Sequence, residues 1–114
     1  MTDRELLELA AKAAEINTII WTESPRSNGQ TAGCIWNGVG HGDTAELWNP
    51  LTDDGDALRL AVKIGRSRTL QLVVGVGGAD CQFDHPLVTA FESGDDPYAA
   101  TRRAIVRAAA EMAK

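Results

Sequence analysis

The sequence predicts a single α+β domain over residues 1–114, with a mostly antiparallel sheet of four or five strands and helices packed on it. Three observations predict this. The chain is 44% hydrophobic and 24% charged over 114 residues, enough for one self-supporting core and too little for two. Both of its ends read as helices opened by capping signals. Between them lie short β-branched and aromatic runs, punctuated by Gly, Pro and Asn and interrupted by a further helix.

The elements follow in order. Thr2-Asp3-Arg4-Glu5 is a capping box, and Leu6, Leu9, Ala10 and Ala13 follow at helical spacing with Leu7 and Ala14 flanking. This predicts a helix over about Asp3–Glu15, stopped near Asn17. Thr18–Thr22 reads as a strand, Glu23–Gln30 as a turn and Thr31–Asn37 as the partner strand of a hairpin. Gly38, Gly40 and Gly42 mark a turning loop. Ala45–Trp48 is a short extended piece closed by Asn49-Pro50, since proline disfavours helix in the residue before it.

Thr52 is then read as the cap of a helix whose first turn holds Asp53, Asp54 and Asp56 and which ends at Gly65. Thr69–Val76 is the strongest strand of the chain. Leu70, Leu72, Val74 and Val76 line one face, and Gln71, Val73 and Gly75 the other. Two apolar or small faces predict a strand covered on both sides. Gly77-Gly78 turns the chain into two shorter strands, Ala79–Phe83 and Leu87–Glu92, separated by Asp84-His85-Pro86. Asp96-Pro97 opens a final alanine-rich helix to Ala113, with aspartate as cap and proline at the first helical position.

The charge is unevenly spread. The formal net charge is -5, and the segments 27–58 and 69–101 hold ten acidic residues and no Lys or Arg. The remainder holds all 11 basic residues. Nucleic acid is therefore not expected as a partner, because neutralising phosphates needs clustered cations. Arg102, Arg103 and Arg107 read as a solvated helix face. No run of the sequence is apolar and long enough for a membrane helix, and the first residues lack the basic-then-apolar order of an export signal.

Two stretches carry a resemblance. The run Trp48-Asn49-Pro50-Leu51-Thr52-Asp53-Asp54-Gly55-Asp56-Ala57, with Ala100-Thr101-Arg102-Arg103-Ala104-Ile105-Val106 near the end, is similar to small phage and prophage proteins of the phage α-β-α sandwich domain family. The opening Met1–Ala14 resembles their N-termini. The resemblance implies a viral or prophage origin and a sheet between helical layers. It implies no activity, cofactor or catalytic residue set. The stretch from Thr22 to Gly42 matches least. Cys34 and Cys81, far apart and without framework spacing, read with no export signal as reduced thiols, so the host cytoplasm is the expected setting.

Several residue sets invite chemistry. Cys34, His41, Cys81 and His85 make a complete Cys₂His₂ inventory, yet the gaps of six residues (Cys34 to His41) and three (Cys81 to His85) are not those of zinc fingers. Cys81, Asp84 and His85 supply a nucleophile, an acid and a base, without an oxyanion motif. Asp53, Asp54 and Asp56 offer hard oxygen ligands, but first-turn carboxylates are what a helix start wants. Gly75-Val76-Gly77-Gly78 follows a strand without the helix that nucleotide loops need.

No cofactor is predicted, and an enzyme is not the leading expectation. That expectation is a small accessory protein binding a host or phage protein, one role being to blunt a host defence. The candidate contact residues are Asp43, Glu46, Trp48, Asp95 and Asp96. The rivals are a metal protein or small enzyme on Cys34/His41/Cys81/His85 and a self-assembling structural domain.

Overall fold

The computed structural model describes residues 2–15, 19–23, 31–35, 46–66, 68–84 and 87–114, and for residues 19–47 the backbone alone. In chain order the elements are α1 (Asp3–Ala13), β1 (Ile19–Glu23), β2 (Thr31–Ile35), β3 (Glu46–Trp48), α2 (Asp54–Gly65), β4 (Leu70–Gly75), β5 (Gly78–Phe83), β6 (Val88–Ser93) and α3 (Pro97–Ala113). The expected turn at 24–30, the helix stop at Asn17, Trp36, the glycine loop at 38–42 and His85-Pro86 lie outside the described residues.

The fold class is α+β, but the single sheet of four or five strands is corrected. The described strands divide into two antiparallel sheets of three, in the orders β1-β2-β3 and β4-β5-β6. The break falls where α2 intervenes between β3 and β4, so the strands on either side pair only within their own hairpins. Trp48 is the described link from the first sheet to the core. Its side chain is buried in the same apolar cluster as α1, α2 and α3.

The Thr2 hydroxyl accepts from the Glu5 N–H at 3.2 Å, as the capping signal predicts. The buried stripe of α1 is Leu6, Leu7, Ala10 and Ala11, continued by Ala14 just past the helix, while Leu9 and Ala13 are only partly buried. The helix is thus rotated from the expected face, because it packs on α3 rather than on a sheet. Glu15 closes α1 at φ 60, its N–H donating to the Lys12 carbonyl at 3.1 Å. That is the left-handed conformation usually left to glycine at a helix end.

α3 is central. Ala100, Ala104, Ile105, Val106, Ala108, Ala109 and Ala110 are all buried. Alanine suits a helix with neighbours on several sides, since it lets α1, α2 and the β5-β6 pair approach closely. Facing it across the sheet are Ala79, Cys81 and Phe83 of β5 and Ala90 of β6, all buried. Among the described residues no helix packs on the other face of this sheet. Val73 and Phe91 stand there 53% and 61% exposed. The expectation that β4 is covered on both sides is therefore corrected: it is an edge strand, exposed from Gln71 onward.

Three arginines hold α3 in place. Arg102 donates to the Leu51 carbonyl and pairs with Asp54, Arg103 pairs with Asp3, and Arg107 pairs with Glu92. Each bond crosses to a different element. The expected solvated basic face is instead a set of internal ties.

Candidate functional site

The acidic run at the start of α2 resolves into a clip rather than a cation cradle. Asp53, not Thr52, is the cap, its carboxylate accepting the Asp56 N–H at 2.8 Å. Asp56 is buried, and its two oxygens take the Asn49 N–H at 2.9 Å and the Arg59 guanidinium at 2.7 Å. The Asn49 side chain accepts the Leu51 N–H at 3.0 Å, shaping the turn that buries Pro50. Asp54 is taken by Arg102. The Trp-Asn-Pro-Leu-Thr-Asp-Asp-Gly-Asp run is thus a structural joint, its carboxylates satisfied by backbone and arginine. Among the described residues no group of three or more His, Cys, Asp or Glu side chains is placed to hold a metal ion.

Cys81 is fully buried against α3. Burial, and secondarily the negative charge of Asp80, push its thiol from 9.0 up to about 12. A thiol nucleophile or metal ligand needs the thiolate, and this site disfavours it. The side chain of Cys34, and all of His41 and His85, lie outside what the structure describes. Two consequences follow for Cys81 on a Cys34→Ser background. In the folded chain the thiol stays unreactive toward an aromatic disulfide reagent near neutral pH, and reacts only as the chain unfolds. The folded state also keeps its proton where the unfolded chain has lost it. The contribution of Cys81 to stability is therefore constant below pH 9.0 and declines as the pH rises toward about 12. Urea titrations at increasing pH check this. Cys81→Ala should remove that part of the decline, and an unchanged slope would refute it.

The candidate contact residues are placed as follows. Asp43 lies outside the described residues, and Glu46 stands opposite Ile35 at the start of β3. Trp48 is buried in the core, and only 7% of it reaches solvent. Asp96 caps α3, accepting from the Tyr98 and Ala99 N–H groups at 2.9 and 3.3 Å. Asp95 is exposed beside it.

A cavity of about 440 Å³ opens where the C-terminal ends of α1, α2 and α3 converge, with Glu15, Lys63, Arg66, Arg68, Ile64 and Met112 among its walls. The negative ends of three helix dipoles meet there, and cations at such ends are their natural complement.

The feature that sequence reasoning missed is the outer edge of β4, which pairs with no other strand among the described residues. The Asp84 N–H donates to the Thr69 carbonyl, which sets the phase of the β4-β5 ladder. Bonded and non-bonded pairs alternate in an antiparallel ladder, so Gln71 and Val73 bond to Gln82 and Asp80. The N–H and C=O groups of Leu70, Leu72 and Val74 therefore point away from β5. The Gly94 N–H bond to the Gly77 carbonyl gives the β5-β6 ladder the complementary phase, so the whole sheet agrees. Side chains add to the exposed backbone. Leu72 is 40% exposed and Val74 52%, and Val76 in the following turn projects fully into solvent. Native edges are commonly guarded by Lys, Pro or a bulge. β4 has no charge and no proline, and its pairing with β5 is unbroken from Leu70 to Gly75. The signal was in the sequence as the uncharged run from Thr69 to Ala79.

No family model, no curated protein and no solved structure matches this chain. Among the described residues no helix is long and apolar enough to cross a membrane.

Proposed function

We propose that this chain is a non-enzymatic protein-binding module and that β4 is the element it binds with. One observation carries the proposal: an edge strand, paired on one side only among the described residues, with outward-pointing backbone groups and apolar side chains exposed on both faces. Such an edge accepts an extended segment of a partner by strand addition, main-chain bonds supplying affinity and alternate side chains supplying selectivity. Exposed Val73 and Phe91 on the helix-free face extend the apolar surface such a segment would cover. The resemblance to small phage and prophage proteins supports an accessory role, with a host or phage protein as partner and interference with a host defence as one use.

The test uses the full chain as bait in host lysate, with captured proteins identified by mass spectrometry. Val73→Lys/Val74→Lys places charge on the edge without touching the core. Asp95→Lys reverses charge beside α3 and spares the Asp96 cap. A dominant partner kept by Asp95→Lys and lost by the lysine pair supports β4. A partner kept by the lysine pair, or lost only on reversing Asp95, overturns it in favour of the acidic surface.

A further inference from the structure

We infer that the partner segment accepted by β4 carries an arginine opposite Val73, which reaches across that residue to Asp80 and Phe91. This rests on β4 being the binding element and adds the chemistry of its partner.

Val73, Asp80 and Phe91 are direct cross-strand partners, so they form one row over β4, β5 and β6. The row lies on the face where no described helix packs, and it starts at the outer edge of β4. A strand added to that edge extends the row by one residue.

Asp80 is the charged member. Its Oδ1 is closed off from solvent and has no hydrogen-bond partner among the described residues. Buried acceptors ordinarily have a donor, and this one lacks it. Residues 69–101 hold no Lys or Arg to provide one. Arg103 and Arg107 of α3 turn instead to Glu92 on the opposite face.

The neighbours of Asp80 say which donor fits. The Phe91 ring rests against Gly78 and is otherwise open to solvent. An open ring beside a carboxylate is a seat for a guanidinium, which stacks on the ring while its forked donors meet the acid. Lysine has neither the plane nor the fork. Exposed Val73 gives the aliphatic stem a bed to lie on. Strands about 4.8 Å apart put the incoming residue about 10 Å from Asp80, a gap that a long arginine and a short aspartate side chain close together.

The residues flanking that arginine point to the other face, where the exposed parts of Leu72 and Val74 call for apolar cover. The segment therefore reads apolar, arginine, apolar. The chain's net charge of -5 favours the approach of such a basic segment.

Selection of short random peptides on the immobilised full chain tests the inference. The expected result is a set of peptides with arginine between two apolar residues, all lost with Val73→Lys/Val74→Lys. Replacing that arginine by glutamine should lower affinity roughly tenfold or more, and so should Asp80→Asn with unchanged far-ultraviolet circular dichroism. Phe91→Leu keeps apolar cover without the ring, so it should weaken the arginine peptide and spare its glutamine counterpart. It takes the place of Asp80→Asn should that variant fail to fold. Peptides lost with the lysine pair but selected without arginine overturn the inference and leave the role of β4 standing. Arginine peptides that Asp80→Asn binds unchanged do the same. No selected peptide, or peptides kept by the lysine pair, overturns the role of β4 and the inference with it.

Discussion

Phe83→Ala should cost about 3–5 kcal/mol of folding stability, a large share of the roughly 5–15 kcal/mol that holds a domain of this size together. Phe83 is fully buried at the end of β5, opposite Leu70 on one side and Val88 on the other. It is among the largest side chains that the core encloses completely. Truncation removes an aromatic ring from a site whose surroundings are helices and paired strands, so little can collapse into the space. Phe91 provides the contrast within the same sheet. It is 61% exposed, and its truncation should cost only about 1 kcal/mol. Urea denaturation of the two variants checks the ranking. Equal losses would mean that the ring of Phe83 is not the keystone between sheet and helices.

Gly78→Ala should destabilise by about 1–3 kcal/mol although it adds a single methyl group. A Cβ at Gly78 would sit 2.6 Å from the Glu92 carbonyl oxygen and 2.8 Å from the Phe91 ring. The ring can swing, but the carbonyl belongs to β6 at the register position where Ala79 faces Glu92. Moving it disturbs the strand whose Glu92 side chain anchors Arg107 and, at 3.6 Å, Arg103. Gly75 is the control. It faces Gly78 across the turn, and a Cβ there meets nothing within 4 Å. Gly75→Ala should therefore change stability by no more than about 0.5 kcal/mol. Thermal melts of the two variants give the comparison, and equal melting temperatures would remove the close approach as its cause.

Much of the local architecture was legible in the residues. Thr2 and Asp96 cap the helices they were expected to cap, and the hairpin from β4 to β5 turns one residue before the expected Gly77-Gly78, at Val76-Gly77 with Gly77 at φ 84. These are short-range effects, in which a side chain satisfies a backbone group a few residues away or a glycine takes a conformation closed to others. The cap of α2 was displaced by one residue, from Thr52 to Asp53. Both can accept a helix N–H, and the buried link from Asp56 to Asn49 decided between them.

The candidate site was less legible, for reasons that differ by residue. Arg102, Arg103 and Arg107 carry no mark in the sequence to separate a solvated face from a set of ties. Their partners Asp54, Asp3 and Glu92 are distant in the chain and meet them only through packing. Trp48 reads more readily as a core or sheet anchor than as a contact residue, yet near glycine-rich loops it was a contact candidate, and the structure buries it in the apolar cluster. β4 was the sharpest misreading. Its apolar residues on both faces match the pattern of a central strand, because hydrophobicity records affinity for cover and not whether cover is supplied. The α+β class, the caps of the first and last helices and the uncharged nature of residues 69–79 are written in the residues. Long-range packing settled that the described strands divide into two sheets, that Cys81 is sealed against α3 and that β4 lies at an edge. Capping and turn formation are settled within a few residues, whereas strand order and burial depend on which distant surfaces meet first and leave the rest to solvent.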